Sequence, residues 1–429
     1  MNSPLKSKPL IAIACGGTGG HLFPGLAVAG QLKRRGCDVA LLISPKDVDQ
    51  QAVKSALERR SPPWRELGAV PNPSDHPGVP TGEFQPTVPE VGAPFEVFTL
   101  PAVGLQNRNY FSFASSFVKS LFSARKIFCR RKPQAVLAMG GFTSVPPIFV
   151  AKELGVKTFL HESNTIPGRA NRMLARFVDQ AFVGFPEAAA RLKTRKVTPT
   201  GTPVRPQFQV RSAAECRVAL GLDADRPVIL VVGGSQGASG LNTLVLSTLP
   251  FLAQKNWQWL HLTGAQDFEK VKSAYAAVGL RASVKPFLAE MELALAAATA
   301  AVSRAGASSL AEIAALRLPA LLVPFPAAAD NHQFYNARSY ALSGAARMLE
   351  QKKSTPREVA ALLVELVEEV PARAKINAAL ALWHAPESAE QIAIHLLRQS
   401  LKDGTATATE VNAPVLTRGP AGPKKLSAV

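Results

Sequence analysis

The chain has 429 residues, too many for one ordinary hydrophobic core and enough for two α/β domains. Its 47% hydrophobic content is that of a globular protein and excludes wholesale disorder. A formal net charge of +18 asks for an anionic partner, without choosing among nucleic acid, anionic lipid and a phosphorylated substrate.

In chain order, short apolar runs alternate with segments of helical spacing. IAIAC (11–15), VALLIS (39–44), AVLAM (135–139) and KTFLH (157–161) read as buried parallel strands. PVILVV (227–232), WQWLHLTG (257–264), AAVSRAG (300–306) and ALLVPFP (320–326) continue the series. Segments such as Leu26–Arg35 and Ser308–Leu316 carry the helical period between them. Strand–helix alternation predicts parallel sheets covered on both faces. The pattern restarts midway: IAIACGGTGGH is echoed by VILVVGGSQGA, each an apolar strand, a glycine-rich turn and a helix. The expected fold is α/β, with two Rossmann-like doubly wound domains facing a cleft and ligands at the carboxyl ends of the strands. The boundary is expected near TGTPVRP (200–206), where prolines and a glycine interrupt the pattern. Residues 61–95 are proline-rich and aperiodic, which predicts a surface insertion, and 402–429 read as a disordered tail.

The four cysteines, Cys15, Cys37, Cys129 and Cys216, lie far apart without Cys-x-x-Cys spacing. Reduced thiols in a cytoplasm are expected rather than a zinc ribbon or a disulfide framework. The run Leu10 to Cys15 is too short for a signal-peptide core, and no stretch reaches the ~18 apolar residues of a membrane span. Any membrane role is expected to be peripheral.

Three glycine-rich turns follow apolar runs: Gly16-Gly17-Thr18-Gly19-Gly20-His21, Gly140-Gly141-Phe142-Thr143 and Gly233-Gly234-Ser235-Gln236-Gly237-Ala238. Glycine lets the backbone approach a ligand closely, and the following helix aims free N–H groups and partial positive charge at it, which suits a diphosphate. A single such turn is equally well a plain strand-to-helix connection; three, each with a hydroxyl residue, favour binding. The dinucleotide fingerprint G-x-G-x-x-G fails, because counting from Gly17 and Gly19 the last position is Leu22. No lysine follows these glycines as a P-loop requires. His161-Glu162 does not begin a zinc-binding H-E-x-x-H, since Thr165 stands at the second histidine position. No Asp-x-Asp follows a strand, so no catalytic metal is implied.

On these residues the chain resembles the family 28 glycosyltransferases of GT-B architecture, in particular the bacterial peptidoglycan N-acetylglucosaminyltransferases that convert lipid I to lipid II. The matching segments are GGTGGHLFPGLAVA (16–29), GGFTSVPP (140–147), HESNTIPGRANR (161–172), GTPVR (201–205), GGSQGA (233–238), SRAGASSLAEIAALRLPALLVPFP (303–326) and DNHQFYNA (330–337). They run in the family's order over roughly residues 8–400. The resemblance implies transfer of GlcNAc from UDP-GlcNAc to the 4-hydroxyl of an N-acetylmuramyl-pentapeptide on undecaprenyl diphosphate, with inversion. UDP-GlcNAc is then a substrate, and no cofactor is implied. It also implies residues 8–205 as an acceptor and membrane-associating domain, with 386–400 a C-terminal helix packing back on it, and 206–385 as the UDP-GlcNAc domain.

By the same resemblance, Thr18, Gly19 and Gly20 line the cleft, Asn164 contacts the donor sugar region, and Arg205 and Ser235 hold its diphosphate. Leu288 falls at the uracil contact. Ala307, Ser308, Ser309, Leu310, Ala311 and Glu312 form the helix start facing the nucleotide, with Glu312 on the ribose hydroxyls. Gln333 and Asn336 bind the GlcNAc hydroxyls. His21 is the candidate base, with a hydrogen bond to phosphate or a helix cap as the alternative; Glu162 and Asp330 are neighbouring carboxylates that a structural role suits better. The acceptor diphosphate is expected on Gly140, Gly141 and Thr143.

From Val97 to Lys152 there are eight basic residues and no acidic one. Within this stretch Tyr110, Phe113, Phe117, Leu121 and Phe122 fall near helical spacing, followed by Arg125, Lys126, Arg130, Arg131 and Lys132. Alone this reads equally as a core-facing helix with a solvated charged face. With the family's basic-ringed apolar patch it reads as an interfacial anchor at the cytoplasmic face of the bacterial inner membrane, Phe113, Phe117 and Leu121 dipping into lipid and Arg125 and Lys126 meeting anionic headgroups. The match departs at SPKDVDQQ (44–51), where the family has a short acidic stretch, and at Asn331 and His332, where many relatives have Arg and Gln. The resemblance supplies no role for the basic 402–429 tail. Rival readings are a glycolipid glycosyltransferase or UDP-GlcNAc 2-epimerase of the same fold, and a nucleic-acid binder, for which no module or stacking platform is present.

Overall fold

The computed structural model describes residues 8–17, 19–46, 95–101, 110–194, 196–234 and 237–401, the side chains of Tyr110 and Leu401 apart. The expected insertion, apart from Phe95, and the expected tail lie outside the described residues, as do Thr18 and Ser235.

Two parallel sheets form. The first has seven strands in the order β3-β2-β1-β4-β5-β6-β7. These are β1 (Leu10–Ala14), β2 (Asp38–Ile43), β3 (Glu96–Thr99), β4 (Ala135–Ala138), β5 (Lys157–Glu162), β6 (Gln180–Val183) and β7 (Val197–Pro199). The helices α1 (Gly19–Arg34), α2 (Tyr110–Arg131), α3 (Val145–Glu153) and α4 (Arg169–Leu174) connect them. All five residues of β1 are buried, as a central strand covered on both faces requires. β3 and β7 are partly exposed edge strands and lack the continuous apolar runs that mark the central ones.

The second sheet has six strands in the order β10-β9-β8-β11-β12-β13. They are β8 (Val228–Val232), β9 (Gln258–Leu262), β10 (Ala282–Lys285), β11 (Ala300–Ser303), β12 (Ala320–Leu322) and β13 (Arg347–Met348). Around them lie α5 (Ala213–Ala219), α6 (Ser239–Leu252), α7 (Phe268–Val278), α8 (Met291–Ala297), α9 (Ala307–Ala315), α10 (His332–Leu342), α11 (Pro356–Glu368) and α12 (Val370–Trp383). In both sheets the order reverses beside the first strand of the unit, which opens a crevice at the strand ends where the first and third glycine turns stand.

The chain then returns to the first sheet. The last helix, α13 (Ser388–Leu401), buries Ala389, Ile392, Ala393 and Leu396 in the core beneath β1 and α1. Gly201 is where this return crosses the hinge. Its φ is 78°, and a Cβ there would lie 2.3 Å from the Cβ of Ala385, so only glycine fits. The Gly201 carbonyl accepts from His161 Nε2 at 3.1 Å and from Ser388 Oγ at 2.9 Å. Phe185, which follows β6, stands in the second core against Trp383, with ring centroids 5.3 Å apart.

Replacing Leu396 by alanine is expected to cost about 2–5 kcal/mol, because it leaves a cavity under α1. Urea denaturation checks the size. Hydrogen exchange checks the location: faster exchange is expected in β1 and α1 and none in the second sheet.

Candidate active site

The first two glycine turns close on each other. The imidazole of His21, in the first turn of α1, lies against Gly140 and Gly141. A Cβ on Gly140 would be 2.9 Å from His21 Nε2, and one on Gly141 would be 3.2 Å from Nδ1. Both glycines have positive φ, 107° and 76°. A Cβ on Gly17 would lie 4.0 Å from Thr143 Oγ1, so that hydroxyl faces the first turn. Ser144 Oγ donates to the carbonyls of Gly140 and Ala14 at 2.7 and 3.0 Å and holds the second turn to the end of β1. Lys46 Nζ reaches the Gly17 carbonyl at 3.0 Å.

The segment after β5 is a rigid wall. Glu162 is buried, and its carboxylate accepts from Asn164 N and Nδ2, Gly168 N and Asn171 Nδ2 at 2.7–3.0 Å. It holds the loop and has no capacity left for acid–base work. Burial raises its pKa and these four bonds oppose the rise. Asn171 was not singled out from the sequence. Its Nδ2 would lie 3.1 Å from a Cβ on Gly140, beside His21, and its Oδ1 is buried with no partner among the described residues. His161 is fully buried and its pKa is pushed down to about 4, first by burial. Nε2 must carry the proton that the Gly201 carbonyl accepts, which leaves Nδ1 to accept from Ser163 Oγ at 3.3 Å.

Several contacts cross the cleft. Ser308 Oγ, at the start of α9, donates to the Gly20 carbonyl at 3.0 Å, so the N-termini of α1 and α9 converge. Asn336, expected at the GlcNAc hydroxyls, is fully buried. Its Oδ1 accepts from Thr165 N and Oγ1, both at 2.9 Å. Its Nδ2 donates to Asn164 Oδ1 at 3.0 Å and to the Ala305 carbonyl at 3.1 Å. All four hydrogen-bonding positions are taken by the protein, so the amide joins the two units. Asn164 is likewise held, between Glu162 and Asn336. Asp330 pairs with Arg172 across the cleft, which gives this carboxylate a structural partner.

Arg205 and Glu312 meet each other. Arg205 Nη2 donates to Glu312 Oε1 at 3.2 Å, and the guanidinium lies 4.1 Å over the Phe23 ring and 4.8 Å over Phe208. Phe23 is thus a platform that sequence reasoning missed; only its place one turn into α1 hinted at it. Both charged groups stand at the cleft, but they neutralise one another here. Gln333 Oε1 accepts from the N–H groups of Ala305 and Phe325 at 3.3 and 3.0 Å, which fixes the amide and leaves Nε2 as a donor. Of the α9 start, Ser308, Ser309, Ala311 and Glu312 keep accessible side chains, whereas Ala307 and Leu310 are buried anchors. Leu288 is the residue expected at the uracil contact. Its side chain belongs to the second core, and Phe287 beside it is the exposed one.

The face of α2 also differs from expectation. Phe113 and Phe117 turn inward, with centroids 4.6 and 5.6 Å from Phe142 just after the second glycine pair, and Leu121 packs on the first core. The outward stripe is Phe111, 92% exposed, Val118 and Phe122, 70% exposed. The sequence period is satisfied by either face; only packing against Phe142 selects between them. Arg125 is paired with Glu153, while Lys126 is exposed and makes no ion pair among the described residues.

Two outcomes test this geometry. Gly140→Ala is expected to lose most activity, since the methyl group meets His21 and Asn171 at a φ that favours glycine; steady-state turnover checks it. For His161 the folded pKa lies below the unfolded value, so the unfolded state binds the extra proton between about pH 6.5 and 4. Its stabilising contribution is full above about pH 6.5 and falls away towards pH 4, up to about 3 kcal/mol. Denaturation midpoints across that window, compared with His161→Gln, measure it.

The description "Glycosyltransferase family 28 N-terminal domain" matches residues 11–62 and 79–183, and "Glycosyltransferase family 28 C-terminal domain" matches residues 228–392. A protein of Anaeromyxobacter sp. (strain Fw109-5) is 36% identical over 388 residues, 89% of this chain and 91% of its own length. It is named UDP-N-acetylglucosamine--N-acetylmuramyl-(pentapeptide) pyrophosphoryl-undecaprenol N-acetylglucosamine transferase. The crystal structure of Acinetobacter baumannii MurG superposes with a TM-score of 0.64 at 25% identity, covering 91% of this chain and all of that one. A putative UDP-N-acetylglucosamine 2-epimerase from Listeria monocytogenes gives 0.62 at 11% identity over 93% of this chain and 98% of its own, a likeness of fold alone. With both halves of the pattern matched in order and the two sheets facing one cleft, this chain belongs to glycosyltransferase family 28.

Proposed function

We infer that this chain transfers GlcNAc from UDP-GlcNAc to lipid I, giving lipid II, in peptidoglycan synthesis. The observation that carries the reading is full-length similarity to transferases of that name, at 36% identity over 89% of the chain. The site geometry agrees: two helix N-termini and the first two glycine turns converge on one cleft, as a doubly phosphorylated substrate pair requires.

Residues 8–205 together with 386–400 form the acceptor and membrane unit, and residues 206–385 the donor unit. His21 takes the proton of the acceptor hydroxyl. Its ring lies against Gly140 and Gly141, the turn assigned to the acceptor diphosphate, so base and acceptor stand together. Gln333 Nε2 and the α9 start meet the donor. Donor binding requires Arg205 to exchange part of its bond with Glu312 for the diphosphate, freeing carboxylate oxygens for the ribose. Ser235 holds the donor diphosphate, and Thr18 contributes to the donor side of the cleft. Attack on an α-linked donor in a single step gives the β-linked product.

Among the described residues no helix is long and apolar enough to cross a membrane. The acceptor's lipid tail stays in the bilayer, so the enzyme works at the membrane surface, on the cytoplasmic face where UDP-GlcNAc is found. The stripe Phe111, Val118 and Phe122, flanked by exposed Lys119, Lys126 and Arg130, is the surface that meets anionic lipid. Phe113 and Phe117 link that helix to the second glycine turn through Phe142.

Labelled UDP-GlcNAc with a short-chain lipid I analogue, and a glycolipid acceptor in parallel, tests the reaction; labelling of the glycolipid alone overturns it. His21→Ala is expected to lower kcat about 10²-fold or more with little change in the KM for UDP-GlcNAc. Near-normal turnover would assign His21 to phosphate binding. Phe111→Ser/Val118→Ser/Phe122→Ser is expected to lose liposome binding while keeping turnover on a detergent-soluble acceptor. Phe113→Ser/Phe117→Ser is expected to impair turnover on that acceptor itself.

A further inference from the structure

At the end of the second sheet away from the cleft lies a cavity of about 240 Å³. Its wall includes Arg211, Arg217, Arg317, Arg373, Thr299 and Asn377, and no carboxylate. Thr299 immediately precedes β11, so the cavity opens at the amino ends of the strands, opposite the edge where Arg304 and the third glycine turn follow them.

Four arginines line this wall, and none makes an ion pair with a carboxylate of the described residues. Arg217 donates to the carbonyls of Ala297 and Ala224 and to Thr299 Oγ1 at 2.8–3.1 Å, all neutral acceptors. Arg373 Nη1 donates to the Val367 carbonyl. Arg211 and Arg317 donate no side-chain hydrogen bond to the described residues. Arg317 is held at a φ of 52°, outside the range most side chains adopt. The Asn377 amide, oriented to donate, bonds the carbonyls of Arg317 at 2.8 Å and Arg373 at 3.2 Å and so fixes both backbones.

The C-termini of α8 and α9 bring partial negative charge to this region, roughly half a unit each, which does not balance four full charges. Asp223 and Asp225 act on Arg217 from a distance, but Asp223 is itself paired with Arg226. Like charges gathered on one partly enclosed wall, with the donors of Arg211 and Arg317 unspent, are what a polyanion site requires. At about 240 Å³ the cavity is smaller than the roughly 300–1,000 Å³ of pockets that take drug-sized ligands, which suits a small anion better than a nucleotide sugar.

We propose that this cavity is a second anion site, separate from the nucleotide cleft, that takes a small multivalent phosphate of the orthophosphate or diphosphate class. It stands independently of the transfer reaction, because its residues lie at the opposite end of the sheet from the cleft.

Equilibrium dialysis of labelled inorganic diphosphate against the full chain, with UDP saturating the cleft, tests it. One equivalent is expected to bind in the presence of UDP. In Arg211→Gln/Arg373→Gln the affinity should fall roughly tenfold per guanidinium removed. Arg211→Glu, at a residue that makes no internal hydrogen bond, provides a second variant should the double one fold poorly, and is expected to abolish binding. Transfer activity without added anion should be unchanged in both. No equivalent beyond UDP in the wild type, undiminished binding in both variants, or binding only to vesicles of anionic lipid would each overturn the proposal.

Discussion

The side-chain amide of Asn336 is the interaction on which the cleft depends. It is fully buried and joins Thr165 and Asn164, which follow β5 of the first sheet, to Ala305, which follows β11 of the second. An amide with all four positions filled has one low-energy placement, and losing a partner would strand a buried polar group at a cost of about 1–3 kcal/mol. The same wall is held from behind by Glu162, whose carboxylate accepts four bonds from the loop that carries Asn164. Position therefore passes from β5 through Glu162 and Asn164 to Asn336, and from there to the second sheet.

Within that frame the reacting surfaces are made largely of backbone. His21 can lie on the second turn only because positions 140 and 141 have no Cβ, whereas at position 17 it is the φ of 110° that favours glycine, since a Cβ there would stand an ordinary 4.0 Å from Thr143 Oγ1. Two helix N-termini then point into the same space, and their N–H groups supply the fixed positive potential that a diphosphate leaving group needs. Charged side chains serve differently. Arg205 and Glu312 are paired, and Arg205 stacks on Phe23, so each is kept in position and partly neutralised.

The large positive charge is likewise divided by the fold into separate surfaces. On α2 the basic residues flank an apolar stripe, the arrangement that suits a lipid interface. At the far end of the second sheet four arginines surround a small cavity without a counter-charge. One net charge in the sequence is thus spread over two separate basic surfaces.

The sequence by itself determined the strand–helix alternation, the restart of the pattern and the three glycine turns, because these depend on local periodicity and on backbone freedom at single residues. The family and the reaction followed from the ordered motifs. Roles that depend on who faces whom were decided only by tertiary packing. Gln333 kept a free donor while Asn336, three residues on along the same helix, was consumed by the domain junction. Leu288 turned into the core. Phe113 and Phe117 turned towards Phe142 and left the outward face of α2 to Phe111, Val118 and Phe122. A helical period permits either face, and an amide is equally able to bind a sugar or a neighbouring loop. Which it does depends on the groups that long-range folding brings within about 3 Å of it, and that information is not local to any stretch of the chain.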